Sequence, residues 1–87
     1  MNAGQFEAAM NFFQRAIAIY YELNDPVKVA IVLERIGITF EQQGHFSEAL
    51  EKYQEALRLK KQYAVPPESI ARTENNIARV KGKMKSQ

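Results

Sequence analysis

Thirteen residues, GQFEAAMNFFQRA from Gly4 to Ala16, return forty positions later as GHFSEALEKYQEA from Gly44 to Ala56. Five of the thirteen are identical, and Met10 against Leu50 and Phe13 against Tyr53 are close. No other feature of the chain constrains its fold as strongly. A short helical sequence that repeats at this period stacks copies of one unit, because a single unit cannot bury its apolar face alone. The unit is longer than the quoted stretch. Val29, Ala30, Ile36 and Gly37 match Ile70, Ala71, Ile77 and Ala78 at an offset of forty-one. What repeats is therefore a pair of helices.

Apolar residues recur at helical spacing nearly throughout, and strand signals are weak. Helices are predicted over residues 5–23, 26–43, 46–63 and 67–82, with 83–87 as a frayed tail. The first carries Phe6, Ala9, Met10, Phe13, Ile17 and Tyr20 on one face. Asp25 can cap the second and Pro26 suits its first turn. Gly44 stops it, since glycine tolerates positive φ. Ser47 is placed at the start of the third, whose inward face holds Phe46, Ala49, Leu50, Tyr53, Ala56, Leu57 and the aliphatic stem of Lys60. Pro66 and Pro67 break it, and Pro67 starts the fourth. Every linker is short, so neighbouring helices should form antiparallel hairpins. The expectation is one all-α domain over residues 1–87.

The segment from Leu33 to Ala56 resembles the tetratricopeptide repeat. The family's signature is a large residue, Leu-Gly, an aromatic, then Ala, aromatic and Ala on the second helix. Those places hold Leu33, Ile36-Gly37, Phe40, Ala49, Tyr53 and Ala56, with Gly44 and Phe46 at the turn. Part of the pattern recurs at Gly4, Phe6, Ala9, Phe13 and Ala16. The usual 34-residue period is here about forty, and Lys61 stands near the place of the family's closing proline. In this the chain is similar to the forty-residue variety seen in spindle-orientation scaffolds, kinesin light chains and bacterial regulators. The resemblance implies a short right-handed solenoid of about four helices, acting as a protein-interaction scaffold. In repeat phase, the chain begins at the turn before a second helix, and Glu74 and Lys81 give the fourth helix a polar, capping character. The expectation is the C-terminal part of a longer array.

Composition narrows the chemistry. With no cysteine, no disulfide or thiolate site exists. His45 is the one histidine, in a predicted turn, so it lacks a partner for a metal site. Glu48, Glu51 and Glu55 line a solvated helix face rather than forming an acid–base pair. No phosphate loop or catalytic signature occurs. The chain is expected to be non-enzymatic, to need no cofactor or metal, and to be a soluble cytoplasmic protein without a membrane span. Residues 72–87 hold five cations against Glu74, a local charge of +4, while residues 1–71 carry −2. A cationic helix end favoured by the macrodipole accounts for the last lysines. No aromatic is interleaved after Tyr63 for base stacking, so contact of this basic C-terminus with an acidic surface or a nucleic acid is a minor alternative, and membrane binding is not expected.

The resemblance also implies where a partner binds, because the first helix of each pair lines a concave peptide groove. By repeat phase the groove positions are Ile31, Glu34, Arg35, Ile38 and Gln42 on the second helix. On the fourth they are Arg72, Asn75, Asn76, Arg79 and Lys83. Asparagine can hold a peptide backbone and arginine can fork onto a carboxylate, so an acidic peptide is the expected ligand. A plain solvated polar face is the alternative for the same residues. A second expectation is self-association to a homodimer through an uncovered edge formed by Phe6, Met10 and Phe13.

Overall fold

The computed structural model describes residues 2–86. Four helices run through it: α1 (Ala3–Glu22), α2 (Pro26–Gln42), α3 (Phe46–Gln62) and α4 (Pro67–Lys85). No strand occurs among the described residues. Each helix packs on the next in sequence, giving a single layer of stacked hairpins measuring 37 × 30 × 16 Å. The all-α, stacked-hairpin architecture expected from the repeat is the one found.

The three turns share one construction. Asn24, Gly44 and Ala64 take positive φ, at 53°, 79° and 53°. Their amides donate to the carbonyls three residues back, at Tyr21, Glu41 and Lys61. The amides of Asp25, His45 and Val65 then donate five residues back, to Tyr20, Phe40 and Lys60. This paired bond satisfies the last free carbonyls of each helix and turns the chain sharply. The turns fall twenty residues apart, so half a repeat has a fixed length.

The helix starts are built differently from one another. Asn2 and Gln5 exchange side-chain and backbone bonds in a capping box, so α1 begins at Ala3, earlier than expected. Asp25 accepts from the Lys28 amide at 3.2 Å, with Pro26 in the first turn. Ser47 does not start α3: His45 is the cap, without a side-chain bond, and the helix opens at Phe46. The last lysines are not a frayed tail, because α4 continues to Lys85. Met84 explains this by packing on the cluster of Ala49, Tyr53, Ile77 and Val80.

A second core cluster joins Val29, Ala30, Leu33 and Ala56, with Ile17, Tyr20 and Leu59 against it. α2 and α3 can approach closely because Gly37 has no side chain. A Cβ there would stand 2.7 Å from the Tyr53 ring. The two ends of the stack differ. No residue of α1 is fully buried. The outward face of α4 holds Ala71, Glu74, Ala78 and Lys81, all exposed and mostly polar or small.

Candidate functional site

α2 and α4 lie on either side of α3 and meet mainly through long polar side chains. Glu34 and Glu41, two helical turns apart on α2, each anchor one set of contacts. Lys60 rises from α3 beneath Glu34 and is 1% exposed. Its ammonium donates to Glu34 Oε1 at 3.1 Å, Thr73 Oγ1 at 2.8 Å and the Ser69 carbonyl at 3.3 Å, using all three protons. Thr73 Oγ1 donates to Glu34 Oε2 at 2.6 Å, and Asn76 Nδ2 donates to the same oxygen at 3.2 Å. A buried pair of charges is tolerable in such a setting because, among the described residues, no buried side-chain nitrogen or oxygen lacks a hydrogen-bond partner.

The second set surrounds Glu41. Arg79 forks onto it, Nε to Oε2 at 2.7 Å and Nη2 to Oε1 at 2.8 Å. Lys83 Nζ donates to Oε2 at 2.7 Å, and the buried Tyr53 hydroxyl donates to Oε1 at 2.8 Å. Four donors on one carboxylate hold Glu41 in its charged form. The Arg79 hydrogen bonds lead in lowering its pKa from 4.5 to about 2, against the opposing effect of burial. Burial, reinforced by the Glu41 carboxylate, pushes the Tyr53 phenol up. The bond to Glu41 likewise raises Arg79.

Above these contacts runs a groove. Ile31, Glu34, Arg35, Ile38, Lys60, Ser69, Arg72 and Asn76 enclose about 560 Å³ of it. A shallower continuation of about 230 Å³ is lined by Ile38, Glu41, Gln42, Arg79 and Lys83. Every sequence-predicted groove residue of the α2 set thus comes together with Arg72, Asn76, Arg79 and Lys83; Asn75 lines neither part. Their availability is unequal. Glu34 and Asn76 are buried and bonded to each other, so they form the floor rather than a reaching edge. Arg79 is committed to Glu41. Arg35 and Arg72 stand exposed on opposite sides of the groove with no ion pair among the described residues, and Ile31 and Ile38 are exposed between them.

Glu41 and Lys60 were missed as members of this site. Repeat phase placed Gln42 in the groove and passed over its neighbour. Lys60 carried an inward-stem expectation, but its ammonium is inward too. The two-turn spacing of Glu34 and Glu41 opposite Asn76 and Arg79 was the available signal.

The residues of the expected self-association edge are partly shielded. Phe6, Met10 and Phe13 are half-buried, with the Phe6 ring 5.7 Å from Phe40 of α2 and 6.2 Å from His45. The exposed apolar residues of α1 are Phe12 at 67%, Ile19 at 54% and Tyr21. α1 carries two apolar stripes, and the one with Phe6, Met10 and Phe13 is the more shielded of the two. Beside the uncovered stripe lies a notch of about 350 Å³ between α1 and α2, reaching from Phe12 and Ala16 to Tyr20, Ile31, Val32 and Arg35.

Among the described residues no three His, Cys, Asp or Glu side chains gather as a metal site. No described helix is long and apolar enough to cross a membrane. A family model described as tetratricopeptide repeat matches residues 1–62, which span α1 to α3. Comparison with curated proteins and with solved structures gives no match.

Proposed function

This chain belongs to the tetratricopeptide repeat family, and on that premise we propose that it is a non-catalytic scaffold module whose α2–α4 groove binds an acidic peptide segment. The family as a whole mediates contacts between proteins. The acidic preference rests on charge. Five cations and two acids line the two parts of the groove, and both acids are already saturated by internal donors. Arg35 and Arg72 have no ion pair among the described residues.

That pair is the observation carrying the reading. The floor beneath it is neutral, so an incoming carboxylate meets two guanidiniums and no competing anion. Ile31 and Ile38 offer apolar contact alongside, and Gln42 can bond a peptide backbone at the shallow end. Arg79 and Lys83 contribute field rather than a free fork, because Glu41 occupies them.

Selection from a random displayed peptide library against the 87-residue chain tests this. Enriched peptides should carry Asp or Glu beside an apolar residue. Arg72→Glu and Arg35→Glu should each weaken them by about tenfold. Circular dichroism and melting should stay at parent values, because both side chains are exposed. Enrichment of neutral or basic peptides, or affinity indifferent to Arg72→Glu, would overturn the assignment.

A further inference from the structure

The cations of the α2–α4 groove differ in how many protons they keep for a ligand. The Lys60 ammonium has three and places all of them, on Glu34, Thr73 and the Ser69 carbonyl. It neutralises Glu34 and has no donor left. The Lys83 ammonium places one proton, on Glu41. Its other two have no acceptor among the described residues, and its side chain is 46% exposed, with the nitrogen over the Phe46 ring. Glu41 is a single anion already forked by Arg79, so Lys83 is the surplus charge of that set. Glu41 keeps Lys83 from moving freely but not from donating again. The deeper part of the groove thus holds two uncompensated cations, Arg35 and Arg72, and the shallower part holds one.

We infer that the groove is a ruler for two acidic side chains on an extended peptide, the acids four residues apart with an apolar residue midway. The inference rests on the peptide-groove reading above and fixes the register of its ligand. α2 and α4 run in the same direction, since Glu34 meets Thr73 and Asn76 while Glu41, farther along, meets Arg79 and Lys83. Ile38 falls between the two acids and lines both parts of the groove. At about 1.5 Å of rise per residue, Glu34 and Glu41 lie about 10 Å apart along α2, and Arg72 and Lys83 about 16 Å apart along α4. The two cationic ends are therefore separated by about 10–16 Å. In an extended chain same-face side chains recur every two residues, at about 6.6 Å. Acids at i and i+4 stand about 13 Å apart, inside that span, and the side chain at i+2 points the same way, toward Ile38. A pair at i and i+2 falls short, and a pair at i and i+6 overshoots. An extended backbone also keeps amides and carbonyls free for Gln42, whereas a helix bonds its own.

The probes are synthetic peptides with Gly-Ser flanks, titrated into the full 87-residue chain and followed by its amide NMR shifts. The two-acid peptide carries Asp-Ser-Leu-Ser-Asp. Two one-acid peptides replace either Asp by Asn, and a spacing control of equal charge carries Asp-Asp-Ser-Leu-Ser. The two-acid peptide should bind about tenfold more tightly than the one-acid peptides and the spacing control. Lys83→Gln should remove that advantage, weakening the two-acid peptide about tenfold and the one-acid peptides by about twofold at most. Arg72→Glu should weaken all four, which reports on the groove itself. An advantage that survives Lys83→Gln, or a spacing control that binds equally well, with Arg72→Glu still effective, would overturn the ruler and leave the groove reading standing. Binding indifferent to Arg72→Glu, or no saturation by any peptide up to about millimolar concentration, would overturn both.

Discussion

The notch between α1 and α2 and the one between α3 and α4 occupy equivalent places in two copies of one unit, yet their chemistry is opposite. Tyr20 and Val32 make the first apolar and leave it open. Lys60 and Thr73 make the second polar, and Glu34 seals it. The small residues are what the copies share: Ala9 and Ala49, Ala16 and Ala56. They set how near two helices come. The larger residues beside them then vary without altering the packing plan. Architecture and chemistry are thus written in different residue sizes, which is how one repeat can serve both a neighbour and a ligand.

The sharpest way to break the comparison is to remove Lys60. Lys60→Ala leaves the Glu34 carboxylate buried without its cation and should cost about 3–5 kcal/mol in urea denaturation. Rewriting the second notch in the language of the first should not. Glu34→Leu, Lys60→Met and Thr73→Val together exchange the charges for apolar side chains of similar size. The triple variant should fall within about 1 kcal/mol of the parent, since a well-packed apolar replacement offsets the lost pair. A triple variant as unstable as Lys60→Ala would show that the polar chemistry is required for packing.

Gly37 and Ala78 occupy the same place in successive units, one covered and one exposed. Gly37→Ala drives a methyl against the Tyr53 ring, whose hydroxyl is pinned to Glu41, and should cost about 1–3 kcal/mol by thermal or urea unfolding. Ala78→Gly meets nothing and should cost only about 0.5–1 kcal/mol through helix propensity. Equal losses would mean that the close approach at Gly37 relaxes freely.

The charge of Glu41 can be read by pH. Glu41 has its folded-state pKa lowered from 4.5 to about 2. Its contribution is therefore complete above about pH 4.5 and is lost as pH falls toward 2. With Arg79 and Lys83 half exposed and screened, the loss should be roughly 1–3 kcal/mol. Glu41→Gln should remove that slope between pH 4.5 and 2. An unchanged slope would place the acid sensitivity elsewhere.

The smallest effect concerns the turns. Ala64 holds positive φ where Gly44 stands one half-repeat earlier. Ala64→Gly should stabilise by about 0.5 kcal/mol, whereas Gly44→Ala should destabilise by about 1 kcal/mol. Both are read from paired melts.

Helix positions were legible because apolar spacing and turn residues agree through α2 and α3. The ends were less so. Asn2 with Gln5 is a cap that reads as ordinary polar sequence, and Met84 holds the last lysines only once Tyr53 and Val80 are in place. In the site, phase showed which residues share the groove. Pairing was not legible. Glu41 meets Arg79 across 38 residues, and a lysine such as Lys60 reads as surface until Glu34, Ser69 and Thr73 converge on it. On α1, periodicity revealed apolar stripes but could not say which one α2 would cover, since that choice belongs to the docking of two helices.

The turns at Asn24, Gly44 and Ala64 keep an even pace of twenty residues. A segment cut at one turn and rejoined two turns later therefore loses or gains one whole packing unit, with the small residues at the helix contacts still in register. Unequal exchange between its own copies can therefore lengthen or shorten such a chain without shifting the register of its helices.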